Sequence, residues 1–222
     1  MGPLATMRRI GLARDAGWRE RRLVAASGLF DESYYLINGA DVMAAGAEPI
    51  RHFCDYGWRE NRRPNLFFDP DWYQSRYLAA HAAMNPLVHY IKEGERTGCR
   101  PIPFFEPAWY KTAYRLKRNV SPLAHYLAHR RAQRVAPNPL FDLAFYLERH
   151  RDEIGPNRDP FMHHVRNGAA GRDLDPSPSF DAACYRREVM AGDTRQWTGL
   201  TGHEMRVPLI HYLHGRRSPQ EP

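Results

Sequence analysis

The strongest constraint on this 222-residue chain is that it repeats. A phenylalanine followed by an acid and then a tyrosine occurs five times: "FDESYY" from Phe30, "FDPDWY" from Phe68, "FEPAWY" from Phe105, "FDLAFY" from Phe141 and "FDAACY" from Phe180. The phenylalanines are 38, 37, 36 and 39 residues apart. A second signature follows each: "PIRHF" from Pro49, "PLVHY" from Pro86, "PLAHY" from Pro122, "PFMHH" from Pro160 and "PLIHY" from Pro208, at intervals of 37, 36, 38 and 48. Both halves recur together, and only the last copy carries a long insertion, around "GDTRQWTGLTG". A period of this size marks architectures in which small supersecondary units stack on one another.

The phenylalanine signature has the form of a helix start. Asp31, Asp69, Asp142 and Asp181, with Glu106 as a weaker substitute, fall at the N-cap, where a carboxylate accepts hydrogen bonds from unpaired amides and meets the positive end of the helix dipole. Pro70 and Pro107 follow at the first helical position, where a missing N–H costs nothing. The phenylalanine is then N′ and the tyrosine N4, the pairing of a hydrophobic staple, present in all five copies.

The histidine signature starts a second helix by the same logic. Pro49, Pro86, Pro122, Pro160 and Pro208 occupy N1 behind Glu48, Asn85, Ser121, Asp159 and Val207, of which the middle three are good N-caps. The residues at N2 and N5 lie one turn apart on one apolar face. Gly57, Gly94, Gly168 and Gly215 are expected to end this helix in the left-handed conformation, with Arg130 breaking the rule in the third copy.

Each unit therefore reads as a helix of about 10–14 residues, a turn, a second helix of about 8–10 and a proline-containing loop. The expected fold is all-α, an array of five helix-turn-helix repeats of about 36–48 residues forming a short helical solenoid. The divisions are a basic N-terminal segment or capping helix at 1–27, then repeats at 28–66, 67–103, 104–139, 140–178 and 179–222. The N-terminal "RDAGWRERRLVAAS" reads either as a helix capping the first repeat or as an amphipathic segment touching anionic membrane.

The absence of any apolar run of 18 residues excludes a membrane-spanning helix, and the N-terminus lacks the apolar stretch of a secretory signal. Three separated cysteines, Cys54, Cys99 and Cys184, form neither a disulfide framework nor a zinc ribbon. The expected location is cytoplasmic, with peripheral contact at the inner membrane through the N-terminal segment. Gly2 and Thr6 match the spacing of a myristoylation motif, but Pro3 is an awkward neighbour. A net charge of +7 attracts polyanions in general, although a near-exclusive use of arginine over lysine is also what a GC-rich genome produces. Acids interleave with most arginines, as in "GWRENRRP", which disfavours a nucleic-acid interface. The candidate polyanion or partner contacts are the densest basic stretches: Arg19, Arg21 and Arg22; Arg130, Arg131 and Arg134; Arg216 and Arg217.

No nucleophile elbow, P-loop, dinucleotide fingerprint or HExxH helix occurs, so no catalytic residue, cofactor or metal is assigned. The motif histidines His52, His89, His125, His163 and His211 recur once per repeat, too far apart to share one ion. They are read as structural: partly buried rings bonded to the first helix or to a neighbouring loop. Cys54, beside His52, reads as a buried helical thiol.

The joint pattern "SGLFDESYYL…PIRHFCDYGWRENRRPNLFFDPDWY…PLVHYIKEGERTGCRP" resembles a repeat of bacterial surface-polysaccharide synthesis proteins. There it often stands beside glycosyltransferase domains, including those of rhamnan synthesis, and it occurs also in some large secreted calcium-binding proteins. The likeness runs from residue 27 to about 217 and departs from the pattern at Glu106, at Arg130 and in the fifth copy's insertion. It implies a cell-envelope glycan pathway, with a glycan-synthesis enzyme or an acidic glycan as partner, and it carries over no catalytic residue. The function expected is a non-catalytic scaffold or recruitment module. The alternatives are a glycan-modifying enzyme with a site built in a groove and a nucleic-acid-binding repeat protein.

Overall fold

The computed structural model describes residues 17–79, 83–193, 199 and 201–216. The chain divides into two compact units, Met1–Thr97 and Gly98–Pro222. Every regular element among the described residues is helical. The first unit holds α1 (residues 17–26), α2 (Glu32–Ile37), α3 (Ala40–Ala44), α4 (Pro49–His52), α5 (Pro70–Tyr77) and α6 (Pro86–His89). Helices α4 and α6 run on as π-helical turns over Phe53–Gly57 and Tyr90–Gly94. The second unit holds α7 (Pro107–Ala113), α8 (Pro122–His129), α9 (Leu143–Ile154), α10 (Pro160–Ala169), α11 (Ala182–Glu188) and α12 (Pro208–Gly215).

The predicted helix starts are observed. Asp31, Asp69, Asp142 and Asp181 accept from the backbone N–H three residues on, at 2.9, 3.0, 3.0 and 2.7 Å. Glu106, with one more methylene than aspartate, makes no such bond. Replacing Glu106 by aspartate should therefore add the missing cap, worth about 0.5–1 kcal/mol. A rise of a few degrees in thermal midpoint would register it, and an unchanged midpoint would contradict the assignment. The second helices are capped by Asn85, Ser121 and Asp159 as expected, and also by Glu48, which accepts from Ile50 and Arg51 at 3.0 and 2.7 Å.

Two expectations need correction. The first helix of each repeat is shorter than the predicted 10–14 residues, except for the 12-residue α9. In repeat 1 it breaks at Asn38–Gly39 into α2 and α3, and in repeat 3 the left-handed Arg115 closes α7, with Leu116 N–H bonded to Lys111 O at 3.0 Å. The glycines at 57, 94, 168 and 215 are not left-handed terminators, because none of them has a positive φ. The chain turns left-handed later, at Asn61, Gly98, Gln133 and Gly171. These lie twelve residues after the motif proline in repeats 1 and 2 and eleven in repeats 3 and 4. In the first two copies the longer run to this point contains the π-helical turn, which takes one more residue than an α-helical turn.

The core is aromatic and recurs in every copy. The staple phenylalanine and tyrosine rings lie 5.1, 5.3, 5.4, 4.8 and 5.4 Å apart, from Phe30–Tyr35 to Phe180–Tyr185. Each tyrosine meets a third ring from the second helix nearly at right angles: Phe53, Tyr90, Tyr126, His164 and Tyr212, at 5.6–5.9 Å. Such edge-to-face packing sets the negative face of one ring against the positive edge of the next.

The proline-containing loops join successive repeats. Asp31 N–H bonds Pro64 O at 2.9 Å, Glu106 N–H bonds Pro137 O at 3.1 Å, and Asp142 N–H bonds Pro176 O at 2.9 Å. Two fully buried asparagines reinforce them. Asn65 donates to Leu29 O at 2.6 Å and Asn138 to Phe104 O at 3.0 Å, while their carbonyl oxygens accept from the loop amides that follow. The loop that opens one repeat thus satisfies the backbone at the opening of the one before. Helix α1 buries Val24 fully and is joined to repeat 1 by an Arg21–Asp55 ion pair at 3.3 Å.

Candidate functional site

The motif histidines, the first candidates for chemistry, are all spent in one way. The staple tyrosine of each repeat points its hydroxyl at Nδ1 of the same repeat's histidine: Tyr35–His52 at 2.9 Å, Tyr73–His89 at 2.8 Å, Tyr110–His125 at 2.8 Å, Tyr146–His163 at 2.9 Å and Tyr185–His211 at 3.1 Å. The sequence reading left the choice between the first helix and a neighbouring loop, and the first helix takes the bond in every case. The geometry follows from the two caps. Tyrosine at N4 of the first helix and histidine at N4 of the second sit at matching heights above their N-termini, so their polar ends meet between the helices.

Burial favours the neutral forms of Tyr35, Tyr110, Tyr146, His125 and His163. It pushes the Tyr35 phenol up to about 12, against the opposing Arg62, and raises those of Tyr110 and Tyr146 further. Desolvation lowers His125 and His163, with the stacked His129 adding to the effect at His125. A neutral phenol donating to Nδ1 leaves the imidazole proton on Nε2. In three repeats a carboxylate stands beyond Nε2: Glu93 at 4.0 Å from His89, Glu153 at 3.8 Å from His163 and Asp193 at 2.9 Å from His211.

The Tyr185–His211–Asp193 chain has the connectivity of a catalytic relay, a hydroxyl, an imidazole and an orienting carboxylate. The His211 and Asp193 side chains are only 5% and 7% exposed, so the relay is closed to a substrate in this conformation. Asp193 comes from the fifth repeat's insertion, and only its hydrogen-bonding partner reveals its role. The rest of the "TRQWT" segment lies outside the described residues, as do Gly2, Thr6 and Arg217. Among the described residues no group of three His, Cys, Asp or Glu could hold a metal ion. Burial pushes the Cys54 thiol up to about 12, which suits a packing role.

The candidate arginines sort into two kinds. Two are held in ion pairs: Arg21, its side chain 30% exposed, with Asp55 at 3.3 Å, and Arg130, its side chain 11% exposed, with Asp159 at 3.0 Å. Arg130 is thereby taken up inside the fold, while Arg21 keeps part of its side chain in solvent. Arg19, Arg22, Arg131, Arg134 and Arg216 are exposed. Arg22 stacks over Trp18 at 5.4 Å and Arg216 over Tyr212 at 5.7 Å. Three further exposed cations, Arg115, Lys117 and Arg118, were not singled out, although a sequence signal exists. From residue 107 to 141 the chain contains no acid, where its average of 25 in 222 would place about four. No known protein family, curated protein or solved structure matches the chain.

Proposed function

We propose that the protein is a non-catalytic helical-repeat scaffold, its five repeats stacked into a short solenoid, that recruits a protein partner or an acidic glycan in bacterial cell-surface polysaccharide synthesis. One observation carries this reading. The residues that recur, tyrosine, histidine and the capping acid, are all turned inward on one another, so what the repeats hold constant is a packing joint and what varies is their surface. The glycan pathway comes from the motif resemblance. The partner is then a glycan-synthesis enzyme or an acidic glycan, met on the cytoplasmic side, with the N-terminal segment as a peripheral membrane contact. None of the described helices is long and apolar enough to cross a membrane.

The array predicts a radius of gyration in solution scattering clearly above the roughly 17 Å of a single compact domain of this length. A compact value would remove the solenoid. The scaffold reading predicts that His89→Gln lowers stability by about 1 kcal/mol while retaining the partner. A stable variant that loses its function, together with no glycan-synthesis enzyme co-purifying from the native cell, would sink it. A second reading, a glycan-modifying enzyme, draws on the Tyr185–His211–Asp193 chain. It requires that Asp193→Asn abolish a measurable turnover.

A further inference from the structure

The charge of this protein is localised to an unusual degree. Counted over the sequence segments, residues 1–27 carry six Lys/Arg and two acids, and repeats 1 to 5 carry 4 and 6, 4 and 4, 7 and 1, 5 and 7, and 6 and 5. Repeat 3 is therefore at +6 of the chain's +7, while repeat 4, beside it in the same unit, is at −2.

The structure shows where those charges sit. Lys111 is half-buried and donates to Arg118 O at 3.2 Å, which holds the loop between α7 and α8 in place. That loop presents Arg115, Lys117 and Arg118 to solvent. At the other end of α8, Arg131 and Arg134 are exposed, and Gln133 between them bonds the carbonyls of Gly155 and Arg158 at 2.7 and 3.2 Å. This brings the exposed Arg158 beside them. None of these six side chains forms an ion pair with a described residue. The nearest carboxylate in the sequence, Asp159, is buried and already neutralised by Arg130. Arg130 thus takes up the acid that adjoins Arg158 in the chain.

We propose that repeat 3, with the adjoining Arg158 of repeat 4, is the docking surface for an acidic glycan, gripped by Arg115, Lys117 and Arg118 at one end of α8 and by Arg131, Arg134 and Arg158 at the other. The inference rests on the scaffold reading above and gives it a ligand class and an address. The two clusters are separated by the length of α8, eight residues or about 12 Å, which suits an extended polyanion rather than a single anionic group. No large apolar side chain is exposed among the described residues of repeat 3. The surface therefore offers no large apolar side chain to insert into a bilayer. A rod as wide as a nucleic-acid duplex would spread onto repeat 4 and meet its net negative charge. A single glycan chain is narrow enough to stay on the basic strip formed by repeat 3 and Arg158.

The test uses the full chain and polygalacturonate, a regular polyuronic acid, as probe, with binding measured at 50 and 200 mM salt. Removing Arg115, Lys117 and Arg118 together (R115A/K117A/R118A) should weaken binding at least tenfold and flatten its salt dependence, as should R131A/R134A. A control of equal charge, R51A/K92A/R96A in the first unit, should change affinity less than twofold, with circular dichroism confirming that each variant is folded. Equal losses in control and repeat-3 variants would overturn the proposal, since the binding would then follow net charge alone. So would tighter binding of duplex DNA or of anionic phospholipid vesicles than of the polyuronate. If polygalacturonate fails to bind while the chain still co-purifies with a glycan-synthesis enzyme, this surface assignment falls and the scaffold reading stands.

Discussion

Replacing Gly94 by alanine is expected to destabilise the protein by about 2–4 kcal/mol, although alanine is the better helix former by about 1 kcal/mol. A Cβ at position 94 would overlap the Tyr73 hydroxyl and lie 3.2 Å from its Cζ. That hydroxyl cannot retreat, because the ring is fully buried and its oxygen is held by His89 at 2.8 Å. Gly57 stands in the same relation to Tyr35 in repeat 1. The glycine therefore exists to let the phenol reach the histidine across the π-helical turn. A double-mutant cycle isolates this cause. Tyr73→Phe alone should cost about 1–2 kcal/mol by stranding Nδ1 of His89. Added to Gly94→Ala it should recover part of the loss, with a coupling of at least about 1 kcal/mol. Gly192→Ala, where nothing lies within 4 Å, should stay within about 0.5 kcal/mol. Urea unfolding at constant slope measures all four, and a neutral Gly94→Ala would refute the packing argument.

The same glycine shows how far the sequence could be read. Its recurrence eight residues after the proline was legible, and so were the caps, the staple and the inward-facing second helix, because each depends on neighbours within one turn. The reason for the glycine was not, because its constraint comes from a tyrosine some twenty residues earlier, and glycine's commonest use at a helix end supplied a competing explanation. The π-helical turns of repeats 1 and 2 were likewise hidden, because the motif proline and the next motif phenylalanine are 19, 19, 19 and 20 residues apart in repeats 1 to 4, so no count sets the first two copies apart. Glu48 shows a milder limit: glutamate is a poor cap on average, yet here it accepts from the amides of both Ile50 and Arg51. The charged surface divides in the same way. Exposed arginines look identical in sequence to Arg21 and Arg130, whose partners lie 34 and 29 residues away. The acid-free stretch around α8 was open to counting, since charge balance within a repeat needs no partner to be known.

Position 164 holds the one ring of the repeated set that breaks the chemistry of its site. Four copies place Phe53, Tyr90, Tyr126 or Tyr212 there, and the fourth repeat places a histidine. His164 is 1% exposed among Phe141, Tyr146 and Phe161, and neither of its nitrogens has a hydrogen-bond partner. Burial, with His163 and His150 adding to it, pushes its pKa down to about 3. The ring is therefore neutral when folded and titrates near 6.5 when unfolded. Between those values the unfolded chain binds a proton that the folded chain excludes, so stability falls as pH drops below about 6.5. The loss reaches about 2 kcal/mol at pH 5, on the scale of 1.36 kcal/mol per pH unit for one proton. His164→Phe should accordingly be more stable than the wild type by about 1–2 kcal/mol at pH 7, from the two stranded polar atoms. The advantage should then widen by about 2 kcal/mol on going to pH 5. His125 and His163 are also lowered by burial, but they are present in both proteins and largely cancel in the difference. Unfolding free energies of the pair measured from pH 8 to pH 5 decide the matter. A difference that does not change with pH would mean that His164 is protonated in the fold or has found a partner there, and the site would then be polar where the packing of its three ring neighbours makes it apolar.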